Sequence, residues 1–377
     1  MKTINYLIGL VALSMAMFSC SNDYLEHPNN EKTESEQQKK NSVVVTLKSG
    51  IVVKQQGEKY YFQDDILLSE QQLEALEERG DFMPKESVAD DETGIAVNTA
   101  SGYNFVPVEV ISKGNQTRSL AIYPTPYNMW AMVRFTYAHS STGTTLNPYT
   151  KSLIQQALRH WERHTNVRFY NATNEPTRDP NYGFDYPFVN FCDGSENASY
   201  VGRIGGRQDL TLVPYGCSVG TVIHEIGHAI GLLHEQCRHD RDNYIDVNMS
   251  NIEPDSRSNF QKRTTNYYTV GSLDFNSVMM YSSYTGFEIN PSIPAMRKKD
   301  GSTWVAQRDG LSENDKFFPN RFYLPYIARS DVYRELAEVV YKPDNTIMTE
   351  EERLELQAQL NYGNPTPPAN GRIPNDF

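Results

Sequence analysis

The chain has 377 residues, enough for two domains, and its 38% hydrophobic and 22% charged content is ordinary for a globular protein. With 35 Lys and Arg against 47 Asp and Glu, the net charge of −12 argues against a nucleic-acid partner held by phosphate contacts. Four cysteines exclude a disulfide-built scaffold, and no run beyond residue 20 is long and apolar enough to cross a membrane.

The charge is uneven, since residues 20–118 carry 18 acidic and 10 basic side chains, a net of −8. Ahead of them, Lys2 and the apolar run Ile4–Phe18 read as an export signal over 1–19. Ser19-Cys20 resembles a lipobox and predicts a lipidated Cys20, a plain secretory signal being the alternative. Lipid on Cys20 would hold an exported protein at the outer membrane or cell surface, the anchor being its only membrane contact. Ser21–Lys40 is polar and reads as a tether. Ser42–Val53 predicts two strands turning at Ser49-Gly50, Lys59–Phe62 a third, and Glu70–Glu78 a short helix, whereas Asp81–Thr117 reads as irregular. From about Ser119 the texture changes. Trp130–Ala138 alternates as a strand, and Lys151–His164 repeats Leu153, Ile154, Ala157, Leu158 and Trp161 at helical spacing. Val167–Phe169 opens another strand, so an α+β domain is predicted.

The chemistry is concentrated in TVIHEIGHAIGLLHEQCRHDRD, Thr221–Asp242. On a helix His224 and His228 share one face, so two neutral imidazoles can converge on one Zn²⁺, while Ile223, Ile226, Ala229 and Ile230 bury the helix behind them. Gly231 can take a left-handed conformation that returns His234 as a third ligand. Three histidines leave one position of a tetrahedral ion for water, the mark of a catalytic site. Zn²⁺ lowers the pKa of such a water from about 15.7 to roughly 7. Glu225 is then placed to act as general base, passing the proton to the leaving amine.

This pattern, H-E-x-x-H-x-x-G-x-x-H followed by Glu235 and by Arg238-His239-Asp240-Arg241-Asp242, resembles the metzincin zinc peptidases and, within them, the astacin family. Ser277-Val278-Met279-Met280-Tyr281, with its Met 45 residues after His234, is similar to that family's Met-turn, except that Met280 stands where His is usual. Similarity extends over roughly 119–324, including Val201–Gln208 followed by DLTL, which resembles the edge strand that holds a peptide antiparallel.

The resemblance implies a twisted upper sheet with two long helices, a zinc-binding active-site helix and an irregular lower subdomain. It implies Met279 as a base beneath the metal, Tyr281 as an exchangeable ligand that later stabilises the oxyanion, and Glu235 as the partner of a new N-terminus. Phe62-Gln63-Asp64-Asp65 resembles the zymogen motif F-x-G-D with Asp64 in place of Gly, which makes Asp65 the latency switch. An activating protease cutting after Arg118 would free Ser119, and would also free the enzyme from an anchor at Cys20. One family disulfide is missing; Cys192 and Cys217 roughly fit the second, with Cys217–Cys237 as an alternative and the remaining cysteine left over. Arg297, Lys298 and Lys299 follow the Met-turn as candidates for a pocket favouring acidic residues after the scissile bond.

The sequence therefore predicts a signal (1–19), a tether and inhibitory pro-segment (20–118), a zinc endopeptidase domain (119–324) that takes an extended peptide, and a helical extension with tail (325–377). The alternative is a silent surface-adhesion protein retaining the fold.

Overall fold

Short runs of β-branched, aromatic and aliphatic residues build the first sheet of the molecule. The computed structural model describes residues 42–82, the backbone of 94–99 and 102–107, residues 120–323 other than 123, 125–127, 131–132, 179–182, 184, 266 and 270, and position 349. Cys20, the tether, Arg118, Ser119 and the helices predicted beyond residue 325 lie outside the described residues, apart from position 349. β1 (Ser42–Thr46), β2 (Val52–Gln56), β3 (Lys59–Phe62) and β4 (Ile66–Leu68) pair successively in antiparallel fashion. α1 (Glu70–Arg79) opens on a Ser69/Gln72 capping box and stops at Gly80, whose φ of 75° supplies a left-handed cap. β5 (Gly94–Thr99) and β6 (Gly102–Pro107) form an antiparallel hairpin in a tract predicted to be irregular. Acidic residues crowd the front of that tract, and averaging over all of it hid the alternation of Ile95 with Val97 and Tyr103 with Phe105.

The remaining elements make the larger body. They are β7 (Leu120–Ile122), β8 (Val133–Tyr137), α2 (Pro148–His164), β9 (Phe169–Asn171), β10 (Phe188–Asp193), β11 (Ser199–Tyr200), β12 (Arg207–Leu212) and α3 (Val219–Ala229), then β13 (Ile245–Val247), β14 (Tyr267–Thr269), β15 (Met296–Lys298) and α4 (Phe317–Phe322). β12, β10, β8 and β9 lie in that order in one parallel sheet. α2 begins earlier than the predicted Lys151 because Asn147 caps it and Pro148 fits its first turn. Its five predicted apolar residues are all buried. Two tryptophans join the layers: the Trp161 indole donates to Ile223 O (3.2 Å) and the Trp130 indole to Ala229 O (2.8 Å), tying both to α3. Beyond α3 the chain is mainly short turns, with β13 paired to β15 and β14 to β7, which agrees with an irregular lower part.

Two further predictions need correction. The edge strand lies at Ala198–Tyr200, ahead of Val201–Gln208: Ala198 and Thr211 exchange backbone hydrogen bonds (3.0 and 2.9 Å), and left-handed Gly202 and Gly205 turn the chain towards β12. The Cys192–Cys217 bridge is not formed, nor its Cys217–Cys237 alternative; all three described cysteines are free and buried. Val189 and Phe191 of β10 face the core cluster that contains Cys217, so strand alternation turns Cys192 to the opposite face.

β4 pairs in parallel with β11, Ile66 opposite Ser199 and Leu67 opposite Tyr200, which extends the N-terminal sheet onto that edge. A second core cluster seals the junction, with Phe62, Ile66, Leu76 and Phe82 packed against Leu120, Val201, Leu233 and Cys237.

Candidate metal centre and active-site cleft

α3 owes its start to a Ser218/Thr221 capping box, and its residues Val222 to Ala229 are all buried. His224 and His228 therefore project from one turn into the interior. Gly231 has φ 111°, as predicted, and a Cβ there would meet Ile122 at 3.0 Å. That reversal returns His234 to the same point: His234 Nε2 lies 3.3 Å from His224 Nε2.

Each imidazole is oriented by its other nitrogen. His224 Nδ1 is 2.9 Å from Val278 O, His228 Nδ1 is 2.9 Å from Leu232 O, and His234 Nδ1 is 3.1 Å from Gln63 Oε1. All three partners only accept hydrogen bonds, so each Nδ1 carries a hydrogen and each Nε2 is the nitrogen turned inward, where an ion would be bound. Burial pushes the His224 pKa down to about 4 and that of His228 well below the usual value, which keeps both rings neutral.

Asp65 enters this point from the N-terminal sheet. Its Oδ2 is 3.0 Å from His234 Nε2 and 3.5 Å from His224 Nε2, and its Oδ1 is 3.9 Å from His228 Nε2. The four donor atoms lie within 4.8 Å of one another. His228 Nε2 and Asp65 Oδ1 are buried without a hydrogen-bond partner. Two orphaned acceptors facing each other are costly in a dry site and are satisfied by a cation between them, so the donor set fits Zn²⁺.

The other predicted residues surround this set. Glu225 is buried with Oε2 unpartnered; burial, then the Asp65 charge, holds its pKa well above the usual carboxylate range. Met279 packs beneath α3, where a Cβ on Gly227 would come within 2.8 Å of its sulfur. The Tyr281 ring lies 4.7 Å from that of His234, and its hydroxyl donates to Gln63 O at 3.4 Å. Glu235 is buried, accepts from Asp274 N at 3.0 Å, and burial pushes its pKa up to about 7.

Several contributors carry no sequence signal. Asp315 accepts from Ser277 Oγ (2.6 Å) and Val278 N (2.9 Å), fixing the Met-turn whose Val278 carbonyl orients His224. Asp64, at φ 65°, pairs with Lys54 at 2.5 Å and accepts from Asn259. The three candidate cations after the Met-turn point elsewhere: Arg297 donates to Gly301 O, Lys298 lies over Phe275, and Lys299 pairs with Asp246. A cavity of about 330 Å³ beside Tyr281, Tyr284 and Phe287 is instead lined by Arg308.

Comparison with known proteins agrees with this geometry. The profile described as Astacin (Peptidase family M12A) matches residues 123–324. The chain is 36% identical over 172 residues to flavastacin of Elizabethkingia meningoseptica, covering 46% of this chain and 36% of that protein. It is 34% identical over 215 residues to blastula protease 10 of Paracentrotus lividus, covering 56% of this chain and 34% of the other. It thus spans about a third of the length of these relatives. Among solved structures it is similar to high choriolytic enzyme 1, a hatching enzyme zinc-protease from Oryzias latipes, with 29% identity, 52% of this chain and 94% of that one covered, and a TM-score of 0.44.

Proposed function

The chain belongs to the astacin family of peptidases, and from that premise we propose that it is a zinc-dependent endopeptidase of exported proteins, held latent by its own N-terminal segment. The observation that carries the reading is the convergence of three Nε2 lone pairs, each fixed through Nδ1, on one point beside buried Glu225. Held by His224, His228 and His234, Zn²⁺ supplies Lewis acidity towards water and the scissile carbonyl. Glu225 takes the proton of the attacking water and returns it to the leaving amine. The Tyr281 hydroxyl, released from Gln63, donates to the oxygen on which charge develops, an interaction typically worth a few kcal/mol of barrier. Ala198–Tyr200 offers the backbone edge on which an extended peptide lies.

In the latent form the Asp65 carboxylate occupies the place of water and substrate. β4 runs parallel to the edge, opposite to the antiparallel course of a substrate, so the segment sits in the cleft without offering a bond for hydrolysis. Cleavage after Arg118 fits the register at the other end. Leu233 N donates to Leu120 O and Ile122 N to Gly231 O, so the cut would fall two residues ahead of a strand that is itself paired beside His234 and Glu235 in the chain. Anchoring through Cys20 rests on the sequence alone.

The test is casein hydrolysis by protein cut after Arg118. Activity is expected to disappear in Glu225→Gln and with a chelator, and to be absent from uncut chain; equal turnover by Glu225→Gln would sink the mechanism. Retained peptide binding with no turnover in the wild type would instead favour the adhesion reading.

A further inference from the structure

Two of the three imidazoles are oriented by main-chain carbonyls of the peptidase domain itself, Val278 and Leu232. The third is not: His234 Nδ1 meets the side-chain amide of Gln63, 171 positions away in the N-terminal segment. We propose that Gln63 is a positioning residue for zinc, so that the latent segment completes the metal site it also blocks. The proposal rests on the zinc-peptidase reading and concerns how the ion is captured.

The residue is held from several sides. Gln63 is 1% exposed; its side-chain Nε2 donates to Cys237 Sγ at 2.9 Å and to Gln261 O at 3.5 Å, and its main-chain carbonyl accepts from Asp65 N at 2.9 Å and Tyr281 Oη at 3.4 Å. Because Nε2 is committed to Cys237 and Gln261, Oε1 is the atom turned to His234, and it requires a hydrogen on Nδ1. The neighbouring group requires the reverse. The Asp65 carboxylate lies 3.0 Å from His234 Nε2 and, before metal arrives, accepts from the opposite tautomer, in which Nε2 carries the hydrogen and cannot ligate. His234 is fully buried, so water cannot substitute as the Nδ1 acceptor. Gln63 therefore decides between a ring that binds the ion and one that donates to Asp65. Withdrawal of the segment removes this partner together with the Asp65 ligand.

The probe is Zn²⁺ itself, titrated into the intact, uncut chain in competition with a chromophoric chelator. Gln63→Leu, which lacks an acceptor, is expected to weaken zinc binding by roughly 10- to 100-fold, as loss of such a partner commonly does. Gln63→Glu, which keeps an oxygen facing Nδ1, is expected to bind at least as tightly as wild type. Cys237→Ala leaves the acceptor but takes away the shorter of the two bonds that hold the amide, the one to Gln261 O remaining, and gives an intermediate loss that is readable even where Gln63→Leu does not fold. Wild-type affinity in folded Gln63→Leu, an affinity in Gln63→Glu as weak as in Gln63→Leu, or an unchanged affinity in Cys237→Ala would overturn the proposal alone. A wild-type chain that takes up no zinc would overturn the peptidase reading and the proposal with it.

Discussion

Asp64 stands where the related zymogen motif has glycine, and its φ of 65° lies in the region glycine favours. Its ion pair with Lys54 and its bond from Asn259 offset that strain and point the next residue, Asp65, at the metal site. Asp64→Ala loses both partners and keeps the strain, whereas Asp64→Gly loses the partners alone. The alanine chain should therefore unfold in urea at about 1 kcal/mol less stability than the glycine chain, and coincident curves would remove strain from the account. Arg308, the cation of the cavity beside Tyr281, makes the second residue-scale prediction. Arg308→Gln should lower kcat/KM by about tenfold on peptides with an acidic residue after the scissile bond and leave neutral peptides nearly unchanged, as cleavage profiling would read out. Legibility at this scale followed locality. His224, His228, Gly231 and His234 were readable because one helix and one left-handed residue fix their geometry. Gln63, Asp315 and Arg308 were not, because each meets the site only through the tertiary fold.

Among the elements, α2 is readable from its period and the first strands from valine runs on either side of Ser49-Gly50, and the failures are failures of context. The family resemblance pairs Cys192 with Cys217, whereas the alternation of Val189 and Phe191 turns Cys192 to the other face of β10. The edge strand was displaced because Gly202 and Gly205 read as part of a strand when they are its end. The junction between the N-terminal sheet and the peptidase domain depends on a contact with no local pattern. Arg263 is buried with Nε and Nη2 lacking hydrogen-bond partners, and its guanidinium carbon lies 5.2 Å from the Phe62 ring centroid and 4.8 Å from that of Phe82. The rings also meet edge to face at 5.6 Å, so one cation and two aromatic groups hold the segment down. Phe82→Ala removes one ring and opens a cavity in the shared cluster, at a cost of about 3 to 5 kcal/mol. Limited proteolysis of the uncut chain should then remove residues 42–82 far faster than from wild type; equal rates would show that this contact does not hold the segment.

On the scale of the whole molecule the net charge of −12 divides into +1 for residues 1–19, from Lys2, −8 for residues 20–118 and −5 for 119–377, so activation would leave a domain much nearer neutrality. That division was readable from the sequence, but the way the parts are joined was not. Asp65 comes from the acidic part and the three histidines from the other, so a cation among them is a link between the two as well as a cofactor. A ligand that binds the joined form more tightly than the separated one favours it by the difference in affinity, about 1.4 kcal/mol for each factor of ten. Without the ion, the carboxylate of Asp65 is buried and its Oδ1 has no hydrogen-bond partner, an arrangement that favours withdrawal of the segment into water. Chelation should therefore increase the rate at which a protease digests residues 42–82 in the uncut wild-type chain, and restored zinc should reverse it. In Asp65→Ala the segment has no hold on the ion, so its digestion should be fast and indifferent to chelator. A wild-type segment equally protected with and without metal would mean that packing alone joins the two parts, and that Asp65 blocks the site without fastening the segment to it.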